Sequence, residues 1–513
     1  MSENINIRVR FAPSPTGALH IGGVRTALYD YALAKKHKGV FILRIEDTDQ
    51  KRFVPGAEKY IYDTLKWLGI EPDEGPMQGG EAVYYRQSER IEIYKPYITQ
   101  LIEQGHAYYA FDTTEELDEM RKRLEEAKVS SPKYNVISRE WMRNSLVMSS
   151  EEVKELLDKG APYVVRLKVP HKQFVRFYDK VRGWIKINSE DLDDKVLMKS
   201  DGIPTYHFAN VVDDYLMRIS HVIRGEEWIS STPIHILLYQ YLNWESAMPQ
   251  FVHLPLLLKP DGVGKLSKRA ADYSFPVFPI SWVDPNIGMQ IEGFREQGYL
   301  PETLINFLAL LGWNPGNNQE IFDINEFIQL FSLERLGNSA VKFDINKAKW
   351  FNQYYIRKSS DDVLIGYLTN DLKLNNLEFG REYILKICTM LKDRITFAED
   401  FWKQGKFFFI APTKQDYINL DINIDHSIIK GLEEFILLIN DSDTFSAEMV
   451  KSIFSNLVRT KSLNLGKAMV SLRYAVTCNS SGPDLMSSIE IIGKPEVIKR
   501  IQLFLDSILS KAL

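Results

Sequence analysis

The chain has 513 residues, too many for one hydrophobic core, and this length predicts roughly three or four domains. The formal net charge of −5 argues against a protein that is basic overall, so any surface for nucleic acid must be local. Two distant cysteines, Cys388 and Cys478, argue against a disulfide framework and favour a reducing compartment. We find no signal peptide and no run of about eighteen apolar residues, the length of a membrane span, so we expect a cytoplasmic protein.

The first fifty residues predict a strand, a helix and a second strand. Apolar and polar residues alternate over 5–11, as in a strand, and apolar residues recur at helical spacing over 24–38. The prolines and the glycine within 13–17 place a turn between them. A nearly continuous apolar run over 40–45 is typical of a parallel strand covered on both faces. Because such βαβ units bind ligands beyond the carboxyl ends of their strands, we expect a site at that edge.

The segments after residue 50 predict further alternating strands and helices, followed by a largely helical C-terminal part. The apolar pattern of the first layer returns over 204–212 and 220–223, which we interpret as a resumed nucleotide-type sheet. Most of the last 170 residues read as helices with short breaks. The remaining predicted helices are 56–68, 88–104, 115–128, 301–311 and 325–330, and the remaining predicted strands are 163–169 and 181–187.

The segment His20-Ile21-Gly22-Gly23 lies where the first helix is predicted to begin. Its glycines leave backbone N–H groups and the positive end of the helix dipole available to an anion, and His20 adds a side-chain donor. Taken alone, a histidine before two glycines is more often ordinary turn chemistry than an anion site.

A second segment, Lys265-Leu266-Ser267-Lys268-Arg269, carries three cations in five residues after a glycine-containing loop. Such a loop could close over a polyphosphate, and the alternative is a solvated basic turn. It is not a P-loop, because Lys265 is followed by Leu266 rather than by Ser or Thr.

Charged residues also cluster at the predicted strand ends. Arginines there suit a carboxylate ligand, which a guanidinium binds through two parallel hydrogen bonds. An internal network of ion pairs explains the same residues equally well, and both readings stay open. The residues are Arg8, Arg10, Glu46, Asp47, Asp49, Arg224, Glu226 and Glu227.

Together these segments resemble a known family. His20 to Gly23 and Lys265 to Arg269 are similar to the HIGH and KMSKS motifs of class I aminoacyl-tRNA synthetases, in the same order. The C-terminal part resembles the anticodon-binding region more loosely, through 472–477 and 492–494. The segments most similar to bacterial glutamyl-tRNA synthetases are Arg10 to Gly17, Arg44 to Asp49, Asp201 to Tyr206, Val211 to Asp214 and Val222 to Glu227.

The resemblance implies a fold. We expect an α/β protein with a split, Rossmann-like parallel-sheet catalytic domain, an inserted α/β domain that binds the acceptor end, and all-α C-terminal domains. The implied ranges are 1–110 and 195–256 for the catalytic halves, 111–194 for the insertion, 257–345 for the KMSKS loop and helical stem-contact domain, and 346–513 for the anticodon-binding region.

The resemblance also implies a reaction. L-glutamate and ATP, with Mg²⁺, would give glutamyl-adenylate, and the glutamyl group would pass to the terminal ribose of tRNA(Glu). His20, Lys265 and Lys268 would be catalytic. The implied glutamate pocket is Arg10, Ala12, Ser14, Glu46, Tyr206, Asn210 and Arg224, with Arg224 on the side-chain carboxylate. The implied ATP site is His20, Gly22, Gly23, Glu227, Trp228, Leu256, Lys265, Ser267 and Lys268.

One departure concerns metal. Many bacterial relatives hold zinc in the insertion on cysteine and histidine ligands, whereas the matching stretches here, 108–112 and 134–139, contain neither residue type. We therefore expect no zinc, and we expect Tyr108, Tyr109, Phe111 and Tyr134 to form the core of that domain.

Residues from 451 onward suit tRNA phosphates, although a solvated helical face is an equally good explanation. The resemblance implies a monomer. Two other functions stay open: a glutamyl transferase that modifies a tRNA base, and an inactive tRNA-binding paralogue.

The stretch from residue 451 onward is locally basic. Its nine cations are Lys451, Arg459, Lys461, Lys467, Arg473, Lys494, Lys499, Arg500 and Lys511, against the four anions Asp484, Glu490, Glu496 and Asp506.

Overall fold

The computed structural model describes residues 6–129, 131–267, 275–285, 288–422 and 424–512. The chain forms two compact units, Met1–Ala348 and Lys349–Leu513. Within the described ranges, no helix combines the length and the apolar character needed to cross a membrane.

The first unit alternates strands and helices. Its strands are β1 (Arg8–Phe11), β2 (Val40–Leu43), β3 (Ala107–Ala110), β4 (Val164–Leu167), β5 (Phe174–Asp179), β6 (Gly183–Asn188), β7 (Val196–Met198), β8 (His221–Gly225), β9 (Gln250–Leu254), β10 (Leu257–Leu258), β11 (Trp282–Val283), β12 (Gln290–Ile291) and β13 (Val341–Lys342). Its helices are α1 (Ile21–Lys36), α2 (Ala57–Trp67), α3 (Ile91–Glu103), α4 (Thr114–Glu126), α5 (Ser150–Asp158), α6 (Tyr206–Leu216), α7 (Thr232–Tyr241), α8 (Pro301–Ala309) and α9 (Ile324–Leu330).

The main sheet has the strand order β2-β1-β8-β9-β5-β6, and each neighbouring pair is parallel except the β5–β6 hairpin. Strand β1 pairs with β2 on one side and with β8 on the other, with Val9 opposite both Phe41 and His221. The strands that follow β1 in the sequence therefore lie on both sides of it in the sheet. Such a switch in strand order opens a crevice beyond the carboxyl ends of β1 and β8. The sheet confirms the predicted strands at 5–11, 40–45 and 220–223.

The prediction of a resumed strand over 204–212 is wrong, because these residues begin helix α6. The apolar side chains Phe208, Val211 and Val212 recur at three- and four-residue spacing and are buried on one face of that helix. A short apolar run rich in β-branched residues fits either element, and tertiary packing decided for the helix.

A smaller antiparallel sheet, β3-β4-β7, takes only β4 from the predicted insertion, because β3 precedes residue 111 and β7 follows residue 194. Strands β5 and β6 belong instead to the main sheet, although 111–194 was expected to be one inserted domain. That range therefore shares strands with the catalytic sheet, and its boundaries stay a prediction.

A buried carboxylate organises the core beside the smaller sheet. Asp194 accepts hydrogen bonds from the Tyr108 hydroxyl at 2.7 Å and from Arg139 Nη1 at 3.1 Å. Tyr134 donates to Asp112 at 2.9 Å, and the Arg166 guanidinium lies 3.9 Å from the Tyr134 ring centroid. Among the predicted core residues, Tyr108, Phe111 and Tyr134 are buried and Tyr109 is half-buried. Hydrogen bonds and ring packing thus hold this region together.

We expect purified protein to contain far less than one zinc ion per chain. Across the described ranges, no three His, Cys, Asp or Glu side chains are grouped so that they could hold a metal ion. Metal analysis by mass spectrometry of protein purified without chelator checks this expectation. One tightly bound zinc per chain would contradict it.

The second unit is helical throughout the part that the structure describes. Its core is mainly aliphatic and also contains the aromatic side chains Tyr417, Phe435, Phe454 and Phe504. Helix α10 (Ile345–Lys358) leads into it, and the following helices are α11 (Asp361–Leu374), α12 (Arg381–Leu391), α13 (Asp400–Phe409), α14 (Lys414–Ile418), α15 (His426–Asn440), α16 (Ala447–Thr460), α17 (Leu465–Thr477), α18 (Leu485–Ile492) and α19 (Lys494–Ala512).

The basic stretch after residue 451 only partly forms a free surface. Arg500 is buried and donates to the carbonyls of Phe407 and Val476, so it is a structural residue and not a phosphate contact. Lys451, Arg459 and Lys499 are exposed. Four other cations contact protein groups of their own unit: Lys461, Lys467, Arg473 and Lys494.

Candidate active site

A cleft of about 370 Å³ lies at the crevice between β1 and β8. The start of α1, helix α6 and the segments around residues 256 and 265 complete its walls. Ser267 is not among the residues that line the cleft, and Lys268 lies outside the described residues. The predicted site residues that do line it are Arg10, Ala12, Ser14, His20, Gly22, Gly23, Glu46, Tyr206, Asn210, Arg224, Glu227, Trp228, Leu256 and Lys265.

Two arginines of the β1–β2 edge share one carboxylate. Asp214 accepts from Arg10 Nε at 3.0 Å and from Arg44 Nη1 at 2.7 Å. All three side chains are buried. Burial alone would raise the pKa of Asp214, but the two guanidinium groups outweigh it and hold that pKa below its usual range. Asp214 therefore keeps a fixed negative charge beneath the cleft.

Glu46 presents a second carboxylate to the cleft. Its Oε1 accepts from Arg44 Nη2 and from Asn210 Nδ2, both at 3.0 Å. Oε2 accepts no hydrogen bond from the described residues, so it is the oxygen open to a cationic ligand. Burial raises the pKa of Glu46, although Arg44, Arg10 and Asn210 all favour its charged form.

Arg224, at the end of β8, differs from the other arginines of this edge. It is buried, yet within the described ranges it forms no ion pair. Its Nη1 donates to the Tyr206 hydroxyl at 2.9 Å, its Nη2 to Thr232 Oγ1 at 2.8 Å, and its Nε to His253 Nε2 at 3.1 Å. A guanidinium carries five N–H donors, so one N–H of Nη1 is left for a ligand in the cleft.

The opposite wall is formed by the start of α1. His20 is the N-cap residue, and its Nδ1 accepts from the Gly22 backbone N–H at 3.0 Å. Because Nδ1 accepts, a neutral His20 ring carries its proton on Nε2. The expectation that the backbone N–H groups of this turn are available to an anion is wrong. Those of Ile21 and Gly23 donate to the carbonyls of Val277 and His20.

The glycines of this turn have a packing role. A Cβ on Gly23 would come within 2.7 Å of Leu19 Cδ1, and one on Gly22 within 3.3 Å of His20 Nδ1. Side chains there would displace Leu19 or the capping histidine. The pattern His20 to Gly23 does lie where α1 begins. Its physical basis is the N-cap formed by His20 and the close packing around the two glycines.

Lys265 approaches the same wall from the KMSKS-like segment. Its Nζ donates to Glu227 Oε1 at 2.8 Å, with both side chains about half exposed. Burial would raise the pKa of Glu227, but this hydrogen bond, a backbone hydrogen bond and the charges of Lys265 and Arg25 together lower that pKa. The backbone N–H of Leu266 donates to the carbonyl of Leu257, which fixes the segment against β10.

Both readings of the strand-end charges hold, for different residues. Arg8 is paired internally with Glu74 at 2.9 Å, Asp47 accepts from Ser88, and the exposed Asp49 pairs with Arg52. None of these side chains lines the cleft. The strand-end residues that do line the cleft are Arg10, Glu46, Arg224 and Glu227.

Sequence reasoning missed three buried residues that support the cleft. Asp214 lies inside a segment that carried the family resemblance, so its position was flagged but its pairing was not. Asp179 and His253 stand behind Arg224 and are fully buried. No spacing rule pointed to them, because they come from different strands of the main sheet.

Two family models match the chain. The model of the "tRNA synthetases class I (E and Q), catalytic domain" matches residues 6–350, and the "Anticodon binding domain" matches residues 362–505. Together with the split parallel sheet and the cleft, these matches define a class I aminoacyl-tRNA synthetase. The predicted fold class is thereby confirmed.

Full-length relatives narrow this further. The chain is 58% identical over 497 residues to a glutamate--tRNA ligase from Amoebophilus asiaticus, with 97% of each chain covered. It is 52% identical over 512 residues to one from Cytophaga hutchinsonii, with 99% of each covered. A crystal structure of a glutamate tRNA ligase from Elizabethkingia meningosepticum, in complex with its amino acid, superposes with a TM-score of 0.90 at 45% identity, covering 98% of this chain and 99% of that one. The chain belongs to the glutamate--tRNA ligase family.

Proposed function

We propose that this protein activates L-glutamate with ATP and transfers the glutamyl group to the 3′-terminal adenosine of tRNA(Glu). The observation that carries the proposal is Arg224, a buried guanidinium with a donor directed at the cleft and no internal carboxylate partner in the described ranges. A substrate that brings its own carboxylate would supply the missing charge.

Each end of glutamate has a matching group. The side-chain carboxylate would take the free N–H of Arg224, with Arg10 beside it. The α-ammonium would take Glu46 Oε2, which is open in this structure. Tyr206, Asn210, Ala12 and Ser14 complete this half of the cleft. These assignments place the α-carboxylate towards the His20 wall.

ATP would occupy that wall. As the glutamate carboxylate attacks the α-phosphorus, negative charge builds up on the phosphoryl oxygens, and fixed donors stabilise it. His20 and Lys265 both line the cleft and suit that role. Gly22, Gly23, Glu227, Trp228 and Leu256 would shape the nucleotide site, and we place Ser267 and Lys268 with Lys265 by the family resemblance.

Mg²⁺ would enter with ATP. It commonly binds substrate phosphates together with one or two carboxylates. Glu227 is a carboxylate on that wall, so the donor set fits such an ion. Bound there, Mg²⁺ would neutralise charge on the leaving pyrophosphate.

The test is exchange of labelled pyrophosphate into ATP. We expect exchange with L-glutamate only when tRNA(Glu) is also present, because membership of this family implies that bound tRNA is needed for glutamate activation. Omitting glutamate, and substituting glutamine, are the matched controls. Absence of exchange under every condition would contradict the proposal and leave a tRNA-binding paralogue.

Charging assays separate the remaining alternatives. A tRNA that lacks its 3′-terminal adenosine cannot be charged at the terminal ribose, whereas a glutamyl transferase that acts on a base would still modify it. The match to an anticodon-binding domain over residues 362–505 supports the ligase. Purified tRNA(Gln), assayed in parallel, would show whether the enzyme charges it. We further propose that the protein is cytoplasmic and that it is a monomer. Analytical sedimentation would test the oligomeric state, and cell fractionation would test the location.

A further inference from the structure

The partners of Arg224 form a chain that ends on a buried aspartate. Arg224 Nε contacts His253 Nε2 at 3.1 Å, and His253 Nδ1 contacts Asp179 Oδ2 at 2.7 Å. His253 and Asp179 are fully buried, and neither lines the cleft. His253 Nε2 also lies 3.3 Å from Thr232 Oγ1, which itself accepts from Arg224, so both contacts of this nitrogen lead to residues that hold the arginine.

The donors and acceptors of this chain are fixed from both ends. An arginine N–H can only donate, so His253 Nε2 must be the unprotonated, accepting nitrogen. The proton of the neutral ring is then on Nδ1 and is donated to Asp179. Burial lowers the pKa of His253 and keeps the ring neutral, although Asp179 opposes that shift.

Asp179 is held as an acceptor by the end of the β5–β6 hairpin. Its Oδ1 accepts from the backbone N–H groups of Val181 and Arg182, both at 2.9 Å. Its Oδ2 accepts from the His253 backbone N–H at 3.1 Å as well as from the ring. Four N–H donors leave it no role other than acceptor, so the ring orientation and tautomer are set by the fold.

We propose that His253, oriented by Asp179, is a positioning residue that holds Arg224 for the side-chain carboxylate of the substrate. The inference rests on the proposed function, since it assumes that Arg224 binds that carboxylate.

The neutral His253 ring orients the Arg224 guanidinium through a hydrogen bond and leaves its positive charge uncompensated. A carboxylate in the place of His253 would pair with Arg224 as Asp214 pairs with Arg10, and the guanidinium would have less to offer a ligand. The negative charge of Asp179 lies one residue further away, behind the imidazole. The arrangement resembles the outer hydrogen bonds that fix the ligands of metal sites, applied here to an arginine.

The test compares H253F with H253Q in pyrophosphate exchange with tRNA(Glu). Phenylalanine keeps the ring volume and removes the acceptor, whereas glutamine keeps an oxygen that can accept from Arg224. We expect H253F to raise the KM for glutamate by about tenfold to a hundredfold, the effect of losing a hydrogen bond to a charged group. The kcat and the KM for ATP should stay within about threefold of the parent, and H253Q should largely retain the parent KM for glutamate.

A spectroscopic measurement covers the case in which H253F does not fold. Nitrogen-15 NMR of the histidine-labelled parent, with the His253 signal assigned by its loss in H253Q, should show the Nδ1–H tautomer. An Nε2–H tautomer, an unchanged glutamate KM in folded H253F, or equal losses in H253F and H253Q would overturn the proposal. If the parent itself shows no glutamate-dependent exchange, the proposed function fails instead.

Discussion

Replacing Arg224 by glutamine is expected to lower kcat/KM for glutamate by about 10²- to 10³-fold, the cost of truncating one partner of a buried charge pair. The guanidinium is buried at the end of β8 and is held by Tyr206, Thr232 and His253. Glutamine can keep some of these contacts but cannot supply the positive charge. The measurement is pyrophosphate exchange with tRNA(Glu) over a range of glutamate concentrations.

The same assay contains its own controls. The KM for ATP should change little, because we propose that Arg224 contacts glutamate and not ATP. R86Q removes a partly buried arginine that pairs with Glu58 and does not line the cleft, and it should leave both KM values within about twofold of the parent. If R224Q raised the two KM values equally, Arg224 would not be the carboxylate-binding group that we propose.

The sequence was most informative where geometry is local. Alternation over 5–11 and helical spacing over 24–38 require only the neighbouring residues, and β1 and α1 follow them closely. The crevice could also be predicted, because parallel strands joined by a helix place their carboxyl ends on one edge. The resemblance of the HIGH-like and KMSKS-like segments to a known family then predicted that His20 and Lys265, which are far apart in the sequence, line the same cleft.

Pairing between charges was beyond local patterns. Arg8, Arg10 and Arg224 look alike in the sequence, yet of these three only Arg224 has no carboxylate partner among the described residues. The difference lies in Glu74 and Asp214, which follow Arg8 by 66 and Arg10 by 204 positions. Only the folded sheet and helix α6 bring them into contact. For the same reason Asp179 and His253, 74 positions apart, could not be recognised as a pair.

The neutralising aspartate should also dominate stability in this part of the first unit. We expect D214N to lower the free energy of unfolding by about 3–5 kcal/mol, because it removes the shared carboxylate, so that the buried Arg10 loses its ion-pair partner and the buried Arg44 keeps only its contacts with Glu46 and Asp213. D63N is the matched control, since Asp63 pairs with Lys59 at the exposed surface of α2 and should matter by about 1 kcal/mol or less. Urea titrations followed by circular dichroism, run in parallel on the parent and both variants, measure the difference.

The pH dependence of that difference tests its electrostatic origin. Arg10 and Arg44 outweigh burial and lower the pKa of Asp214 below its ordinary value of 3.8. A carboxyl group whose pKa is lower in the folded state contributes stability that is complete above its unfolded pKa and is lost as the pH falls through the folded one. The gap between parent and D214N should therefore be full at pH 7 and shrink below about pH 3.8. A gap that stayed constant into the acid range would mean that asparagine disturbs the packing around α6, and that the charge of Asp214 contributes little.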